Sequence, residues 1–118
     1  MIFKPELAAL VLAGQKTVTR RALSDNPRSP WWRERCIYLQ GKEFAIQPGR
    51  GKPSIGHARV ISCRKVLLGA LNRAEAQAEG FPGVSHFVSA WTDINGTWDA
   101  EASVWRIEFE VVDGPVGS

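Results

Sequence analysis

The alternation of apolar and polar residues is clearest in residues 104–111, where the two kinds of side chain follow one another almost without interruption. This period of two predicts an amphipathic β-strand with one face in the core. Residues 57–68 are the longest strand candidate. Shorter strands are predicted at residues 17–21, which are rich in β-branched side chains, and at residues 36–39 and 43–47, joined by a short turn.

Three other segments follow a helical pattern. Residues 5–13 and 84–94 place apolar side chains at spacings of three and four, and a glycine closely follows each segment. Residues 73–79 form a short polar helix candidate that Asn72 can cap at its N-terminus. Together the patterns predict one α+β domain over residues 1–118, with a small mixed, mostly antiparallel, barrel-like sheet and flanking short helices.

The composition excludes several classes of protein. Apolar residues make up 44% of the chain and charged residues 23%, as in an ordinary globular protein. No apolar run approaches the roughly 20 residues of a membrane span, and the first residues do not follow the order of a signal peptide. Two cysteines, Cys36 and Cys63, make a poor disulfide framework and match no metal-ligand spacing. His57 and His86 also show no metal-ligand spacing. We therefore expect free thiols, a cytoplasmic location, no membrane partner, no metal and no cofactor.

The charge is distributed unevenly along the chain. Residues 1–59 carry eleven basic and four acidic side chains, a net charge of +7, whereas residues 60–118 carry four and eight, a net charge of −4. This asymmetry favours a basic face that attracts phosphates. A solvated surface with uneven charge explains it as well, because halves of the sequence need not be halves of the structure.

The residues after the first predicted helix are the most informative for chemistry. In an extended strand Thr17, Thr19 and Arg21 share one face, which is too polar for a dry core. Lys16 lies at the junction of helix and strand and can sit beside Thr19, where a lysine of lowered pKa can take the proton of the hydroxyl. Arg20 and Arg21 would lower that pKa by repulsion. The alternative is an exposed edge strand with scattered cations.

The segment at residues 24–35 is predicted to be an irregular loop, since two prolines prevent a regular helix or central strand. It carries Trp31, Trp32 and Arg33, and aromatic side chains between cations are typical of surfaces on which bases stack. We expect the loop to flank a ligand cleft. A loop that packs on the domain as a cover is the alternative.

Two weaker signals follow. The turn at residues 48–53 combines glycines, which allow a close approach of the backbone to a ligand, with the cations Arg50 and Lys52. A solvated hairpin turn explains it almost as well. Glu79 ends a short helix, where the helix dipole disfavours a carboxylate, and this mismatch is a small hint of a role other than stability.

Together these residues resemble the ASCH domain family, in the form found in short members from bacteria and phages. The resemblance runs in order over nearly the whole chain, and its most specific part is the pattern Gly-x-Lys-Thr-x-Thr-x-Arg at residues 14–21. It also includes residues 47–51, residues 79–81 with Phe87 and Trp91, and residues 104–109. It implies a PUA-like, β-barrel-like core with a cleft that faces nucleic acid.

The resemblance also implies an activity. Small bacterial members are amidohydrolases that remove the acetyl group from N4-acetylcytidine with a lysine, a threonine and a glutamate, to which Lys16, Thr19 and Glu79 correspond. A contributing arginine corresponds to Arg21. Other members are assigned ribonuclease activity, and many have a presumed RNA-binding role. The chain departs from the small amidohydrolases in its long loop at residues 24–35 and in its turn at residues 48–53.

Two hypotheses therefore remain open. The chain is either a hydrolase acting on a modified cytidine or on RNA, or a non-catalytic module that binds RNA or a modified base. The expected partner is RNA or a nucleoside, and the expected oligomeric state is a monomer or weak dimer. The residues expected to bind substrate are Arg20, Arg21, Trp31, Trp32, Arg33, Arg50 and Lys52.

Overall fold

The computed structural model describes residues 1–113, and the side chains of residues 1–112. Three helices and six strands form in the order α1 (Pro5–Leu12), β1 (Val18–Ala22), β2 (Trp31–Trp32), β3 (Arg35–Cys36), β4 (Glu43–Ala45), β5 (His57–Leu67), α2 (Arg73–Ala78), α3 (Val84–Asn95) and β6 (Ser103–Asp113). A 3₁₀ turn at Leu68–Ala70 connects β5 to α2.

The main sheet is antiparallel, with the strand order β1-β6-β5-β4, and it curls into a half-barrel. Strand β5 shifts register between His57 and Ala58 and again between Val60 and Ser62. Such bulges bend a strand and increase its twist, which curls the sheet. Strand β1 lies at one edge of this sheet, so one side of its backbone faces no other strand.

The two faces of β6 belong to two cores. Trp105, Ile107 and Phe109 lie in the larger core, which α1 covers through Ala8 and Val11. Val104, which precedes them and points to the other face, belongs to a second core beneath α2 and α3, with Leu68, Leu71, Ala76, Phe87 and Trp91. The strict alternation along β6 thus lets one strand separate two layers of helices.

The expected fold class, an α+β fold with a curled antiparallel sheet and short helices, is confirmed. The predicted α1, α2, α3, β1, β5 and β6 appear within a few residues of their expected bounds. Asn72 caps α2 as predicted, accepting a hydrogen bond from Glu75 N at 2.9 Å. Cys36 and Cys63 are free thiols.

The strand predicted at residues 36–39 is wrong, because residues 37–39 lie outside any strand, whereas the strand predicted at residues 43–47 forms as the shorter β4. Cys36 instead pairs backward with Trp31, which places two short strands in the loop expected to be irregular. The reason is tertiary: Trp105 Nε1 donates to the carbonyls of Trp31 and Trp32, at 3.2 and 3.1 Å, and fixes β2 against the sheet. Strand β4 then pairs with β5 alone.

Within residues 1–113, no helix is both long and apolar enough to span a membrane. The same part of the chain contains no cluster of three or more histidine, cysteine, aspartate or glutamate side chains placed to hold a metal ion.

Candidate active site

A cleft of about 620 Å³ lies along the open edge of β1, between the N-terminal segment with α1 on one side and α3 on the other. We refer to it as the edge cleft. Its polar lining comes from Lys16, Thr19, Arg20, Arg21 and Glu79. Its apolar lining includes Phe3, Leu7, Trp31, Phe81, Phe87 and Trp91. An apolar cavity with a few convergent polar groups has the character of a small-molecule site.

Lys16 and Glu79 meet at the closed side of this cleft, although 63 residues separate them. The Lys16 ammonium donates to the carbonyls of Glu79 and Val18, at 2.7 and 2.8 Å, and to Glu79 Oε1 at 3.1 Å. Both side chains are almost completely buried. Burial lowers the pKa of Lys16, and the charge and hydrogen bond of Glu79 partly oppose that shift.

Two chain reversals bring these groups together. Gly14 ends α1 with a φ of +75°, and Lys16 N then donates to Leu10 O at 3.0 Å. Gly80, with a φ of +97°, turns the chain after α2, and a Cβ on this residue would approach Leu10 Cδ1 to 3.1 Å. Glycine suits both the left-handed backbone and this close approach to α1. The two turns therefore set the position of Lys16 against Glu79.

Arg20 joins Glu79 to a larger group of charges. Its guanidinium donates to Glu79 Oε2 at 2.9 Å and to Glu75 Oε1 at 2.7 Å. Arg106, which lies opposite Arg20 in the β1–β6 register, donates to both oxygens of Glu75, at 2.7 and 3.1 Å. We call the set formed by Lys16, Arg20, Glu75, Glu79 and Arg106 the ion network.

Glu75 neutralises two arginines that adjacent strands place side by side. Its hydrogen bonds to Arg106 and to Arg20 lower the pKa of its carboxyl to about 2. Like charges directly opposite one another destabilise a sheet, so this carboxylate stabilises the pairing of Arg20 with Arg106. Through Arg20, which donates to both Glu75 and Glu79, the network also fixes the position of the Glu79 carboxylate.

Thr19 and Arg21 lie on the other face of β1, opposite Ile107 and Trp105. The Thr19 side chain is buried, and no hydrogen bond joins its hydroxyl to another described residue. Arg21 donates to Ile2 O at 2.9 Å, and its buried Nε has no hydrogen-bond partner within residues 1–113. No carboxylate in that part of the chain pairs with Arg21, in contrast to Arg20.

Aromatic rings hold the Arg21 guanidinium in place. It lies 5.2 Å from the centroid of the Phe3 ring and 5.3 Å from that of Trp31. Trp31 in turn stacks on Tyr38, with ring centroids 4.9 Å apart. The strand pair β2–β3 therefore brings an aromatic side chain to the mouth of the edge cleft, beside a cation that no described carboxylate contacts directly.

Six of the residues expected at the site line the edge cleft: Lys16, Thr19, Arg20, Arg21, Trp31 and Glu79. Four do not. Trp32 is half-buried; its backbone N donates to Ser29 O at 3.2 Å, and its carbonyl accepts from Trp105 Nε1 at 3.1 Å. Arg33 lines a neighbouring cavity. Arg50 and Lys52 are exposed in their turn, which reaches the edge cleft only through Gly49.

Two charged members of the ion network, Glu75 and Arg106, were missed in the sequence. Glu75 lies four residues before Glu79, so that one face of α2 and its C-terminus carries both carboxylates. Arg106 occupies a polar position of the amphipathic strand, where the alternation alone gives no sign of a buried ion pair. The spacing of the two glutamates was the available signal.

No protein-family model matches the chain, and no curated protein matches it either. Solved structures do. A crystal structure of an ASCH domain from Lactobacillus crispatus JV V101 superposes with a TM-score of 0.74 at 15% identity, covering 92% of this chain and 71% of that one.

Two further structures are similar. A protein from Enterococcus faecalis V583, described under the family model DUF984, has a TM-score of 0.69 at 19% identity, with coverage of 96% of this chain and 74% of that one. A single-residue variant of the ASCH protein of Zymomonas mobilis has a TM-score of 0.61 at 16% identity, with coverage of 98% and 73%. At these identities the likeness is one of fold.

Proposed function

Because the chain has the fold of ASCH domains, we propose that it acts as a single domain that binds RNA or a nucleoside and hydrolyses the acyl group of an N4-acylated cytidine. The observation that carries the proposal is the meeting of Lys16 and Glu79 in one cleft with Thr19 and Arg21. A nucleophile, a base, an acid and an oxyanion-stabilising cation are the groups that acyl transfer needs.

The chemistry begins with a proton transfer inside the buried pair. Burial lowers the pKa of Lys16, so its proton can pass to Glu79 along their hydrogen bond and leave a neutral amine. The amine then takes the proton of the Thr19 hydroxyl as the oxygen attacks the amide carbonyl. Arg21, two positions further along β1 on the same face, stabilises the oxyanion.

The second half of the reaction restores the site. Protonated Glu79 gives its proton to the departing N4 amine, which leaves cytidine and an acyl ester on Thr19. Glu79 then takes a proton from water, the water oxygen attacks the ester carbonyl, and Lys16 returns a proton to the Thr19 oxygen. One amide and one water are consumed, and one amine and one carboxylic acid are released.

The test is turnover of N4-acetylcytidine by the wild type and by Thr19→Val, followed by chromatographic separation of cytidine. Valine removes the hydroxyl, which has no hydrogen-bond partner among the described residues, so the fold should persist while turnover disappears. Thr17→Val is the matched control, because Thr17 does not line the edge cleft and its loss should leave turnover within about twofold of wild type. Unchanged turnover in Thr19→Val would remove Thr19 from the mechanism.

A binding module without chemistry is the second candidate, and one observation favours it. All three protons of the Lys16 ammonium are directed at acceptors of the protein, namely Val18 O, Glu79 O and Glu79 Oε1. This arrangement leaves the Lys16 nitrogen without a lone pair that could act on a substrate until one of its protons moves.

A third possibility is a ribonuclease, in which the same cations would stabilise a charged phosphorane and a ribose 2′-hydroxyl would attack.

Incubation of the wild type with N4-acetylcytidine and with a mixed RNA distinguishes the three candidate functions. Release of cytidine supports the amidohydrolase, and shortened RNA supports the ribonuclease. Binding of either ligand without any product supports the module that only binds.

A further inference from the structure

A second cavity, of about 640 Å³, adjoins the edge cleft at the C-terminal end of β1. The two share Ala22, Trp91 and Asn95 in their linings. The two cavities are therefore adjacent around the end of β1, and we refer to them together as the groove. Each part has a volume in the range of roughly 300–1,000 Å³ that suits a small ligand, so the groove offers room beyond that needed for a single base.

Cations from two elements border this second cavity. Arg33 reaches it from the turn between β2 and β3, and Lys65 reaches it from β5. Among the described lining residues Asp99 is the one carboxylate, and its Oδ1 already accepts a hydrogen bond from Glu101 N at 3.0 Å. The cavity therefore has a net positive lining.

Both cations are available to an anionic ligand. Arg33 Nε lies 2.6 Å from Asp25 Oδ1, but the side chains are 51% and 88% exposed, and an ion pair between such exposed groups contributes little free energy. Lys65 Nζ lies 5.4 Å from the centroid of the Trp105 ring and is exposed. Neither contact would prevent the cation from turning to a phosphate.

The hairpin that carries Arg33 connects the two parts of the groove. Trp31 lines the edge cleft and Arg33, two residues later, lines the second cavity. The backbone holds both in place, since Ser24 N donates to Trp31 O and Arg33 N donates to Ser24 O, each at 2.8 Å. An aromatic side chain that lines the edge cleft and a cation for a phosphate thus lie on one short, hydrogen-bonded segment, as the parts of a nucleotide require.

We propose that the second cavity binds a phosphate of the nucleotide whose base occupies the edge cleft, through Arg33 and Lys65. The inference rests on the proposed function and narrows its ligand from a free nucleoside to a nucleotide, alone or within an RNA strand. It also gives the long loop at residues 24–35 a role: the loop supplies one contact to the base and one to the phosphate.

The experiment compares the dissociation constants of cytidine, of its 3′- and 5′-monophosphates and of ribose 5-phosphate, measured by calorimetry at low salt. The proteins are the wild type, the double variant Arg33→Gln/Lys65→Gln and the control Arg28→Gln. Arg28 lies in the same loop and is exposed, but it lines neither part of the groove. The control therefore removes one positive charge from the same loop and leaves both proposed phosphate contacts in place.

In the wild type one of the monophosphates should bind at least about tenfold more tightly than cytidine, since hydrogen bonds to charged groups carry that much affinity. The double variant should lose this advantage, and Arg28→Gln should keep it. Equal binding of cytidine and both monophosphates by the wild type, or an advantage that survives in the double variant, would overturn the proposal.

Ribose 5-phosphate, which lacks a base, separates this inference from the proposed function. If it binds and the double variant abolishes that binding while cytidine does not bind, the phosphate site stands and the base-binding function fails. If cytidine binds and no phosphate improves affinity, the function stands and the phosphate site fails. If none of the four ligands binds, both are wrong.

Discussion

Neighbouring arginines of β1 lie in opposite situations. Arg20 is buried between two carboxylates, with 2.9 Å to Glu79 and 2.7 Å to Glu75, and its Nε is the one hydrogen-bonding group of the side chain left without a described partner. Arg21 contacts a backbone carbonyl and two aromatic rings, and no described carboxylate pairs with it. The ion network is therefore nearly complete by itself, whereas no described carboxylate lies within ion-pair distance of Arg21, on which Glu79 acts only from farther away.

The difference has a physical consequence. A buried charge is costly unless it is paired, so the ion network contributes to the fold only as a set. Arg21 is held by rings that do not neutralise it, and this leaves positive charge for a ligand or for charge that develops during a reaction. Substitutions of Arg20, Glu75 or Arg106 should therefore affect mainly stability, and substitutions of Arg21 mainly function. Lys16 and Glu79 belong to both the network and the proposed reaction, so their substitution should affect both.

The largest effect on stability is expected from Glu79→Gln. The neutral amide leaves the Lys16 ammonium and the Arg20 guanidinium buried with too little negative charge, and removing one partner of a buried pair costs about 3–5 kcal/mol. Urea unfolding measures the loss. Glu43→Gln is the control, because Glu43 pairs with Arg59 at 3.5 Å on the surface and should cost less than about 1 kcal/mol. Equal effects of the two variants would contradict the special position of the network.

Arg21→Gln should lower the rate of the proposed reaction strongly and the stability of the fold only slightly. On the proposed function it removes the stabilisation of the oxyanion, and the deacetylation rate should fall by about 10²–10³. The free energy of unfolding should fall by no more than about 1–2 kcal/mol, since only cation–π contacts and one hydrogen bond are lost. Arg64→Gln, an exposed arginine on β5, should change neither quantity. A large loss of stability with unchanged turnover would reverse the comparison between Arg20 and Arg21.

The ion network should also make stability depend on pH. The pKa of Glu75 is lowered from 4.5 to about 2 in the folded protein, so its contribution is complete above the unfolded pKa and is lost as the pH falls from about 5 toward 2. Because the Glu75 side chain is partly exposed and solvent screens its charge, its contribution should stay below the roughly 3 kcal/mol that the full shift would give. Unfolding measured at several pH values should show this decline in the wild type and in Glu110→Gln, an exposed carboxylate, and should show a clearly smaller one in Glu75→Gln.

The sequence was sufficient to predict which residues share a face of β1 and which elements have a strong hydrophobic period. The parity of β1 correctly separated Thr19 and Arg21 from Arg20, and the alternation in residues 104–111 correctly predicted β6. The strand predicted at residues 36–39 was wrong, because the pairing of Cys36 with Trp31 depends on long-range hydrogen bonds from Trp105 to the carbonyls of β2. Arg106 was missed for a similar reason, since the carboxylate that buries it comes from a helix 31 residues away.

The smallest effect expected here comes from the cap that positions Glu75. Asn72 Oδ1 accepts a hydrogen bond from Glu75 N at 2.9 Å, at the start of the six-residue helix α2 that leads to Glu79. Asn72→Ala should lower the free energy of unfolding by about 1 kcal/mol, the usual contribution of such a cap, and Asn72→Asp should restore it because aspartate accepts the same bond. If α2 also keeps Glu79 in place, Asn72→Ala should turn over its substrate more slowly. Its affinity for cytidine should stay unchanged, because β1 and the β2–β3 hairpin hold the ligand side of the cleft. A loss of cytidine affinity in Asn72→Ala that Asn72→Asp recovers would mean that the two sides of β1 are not independent.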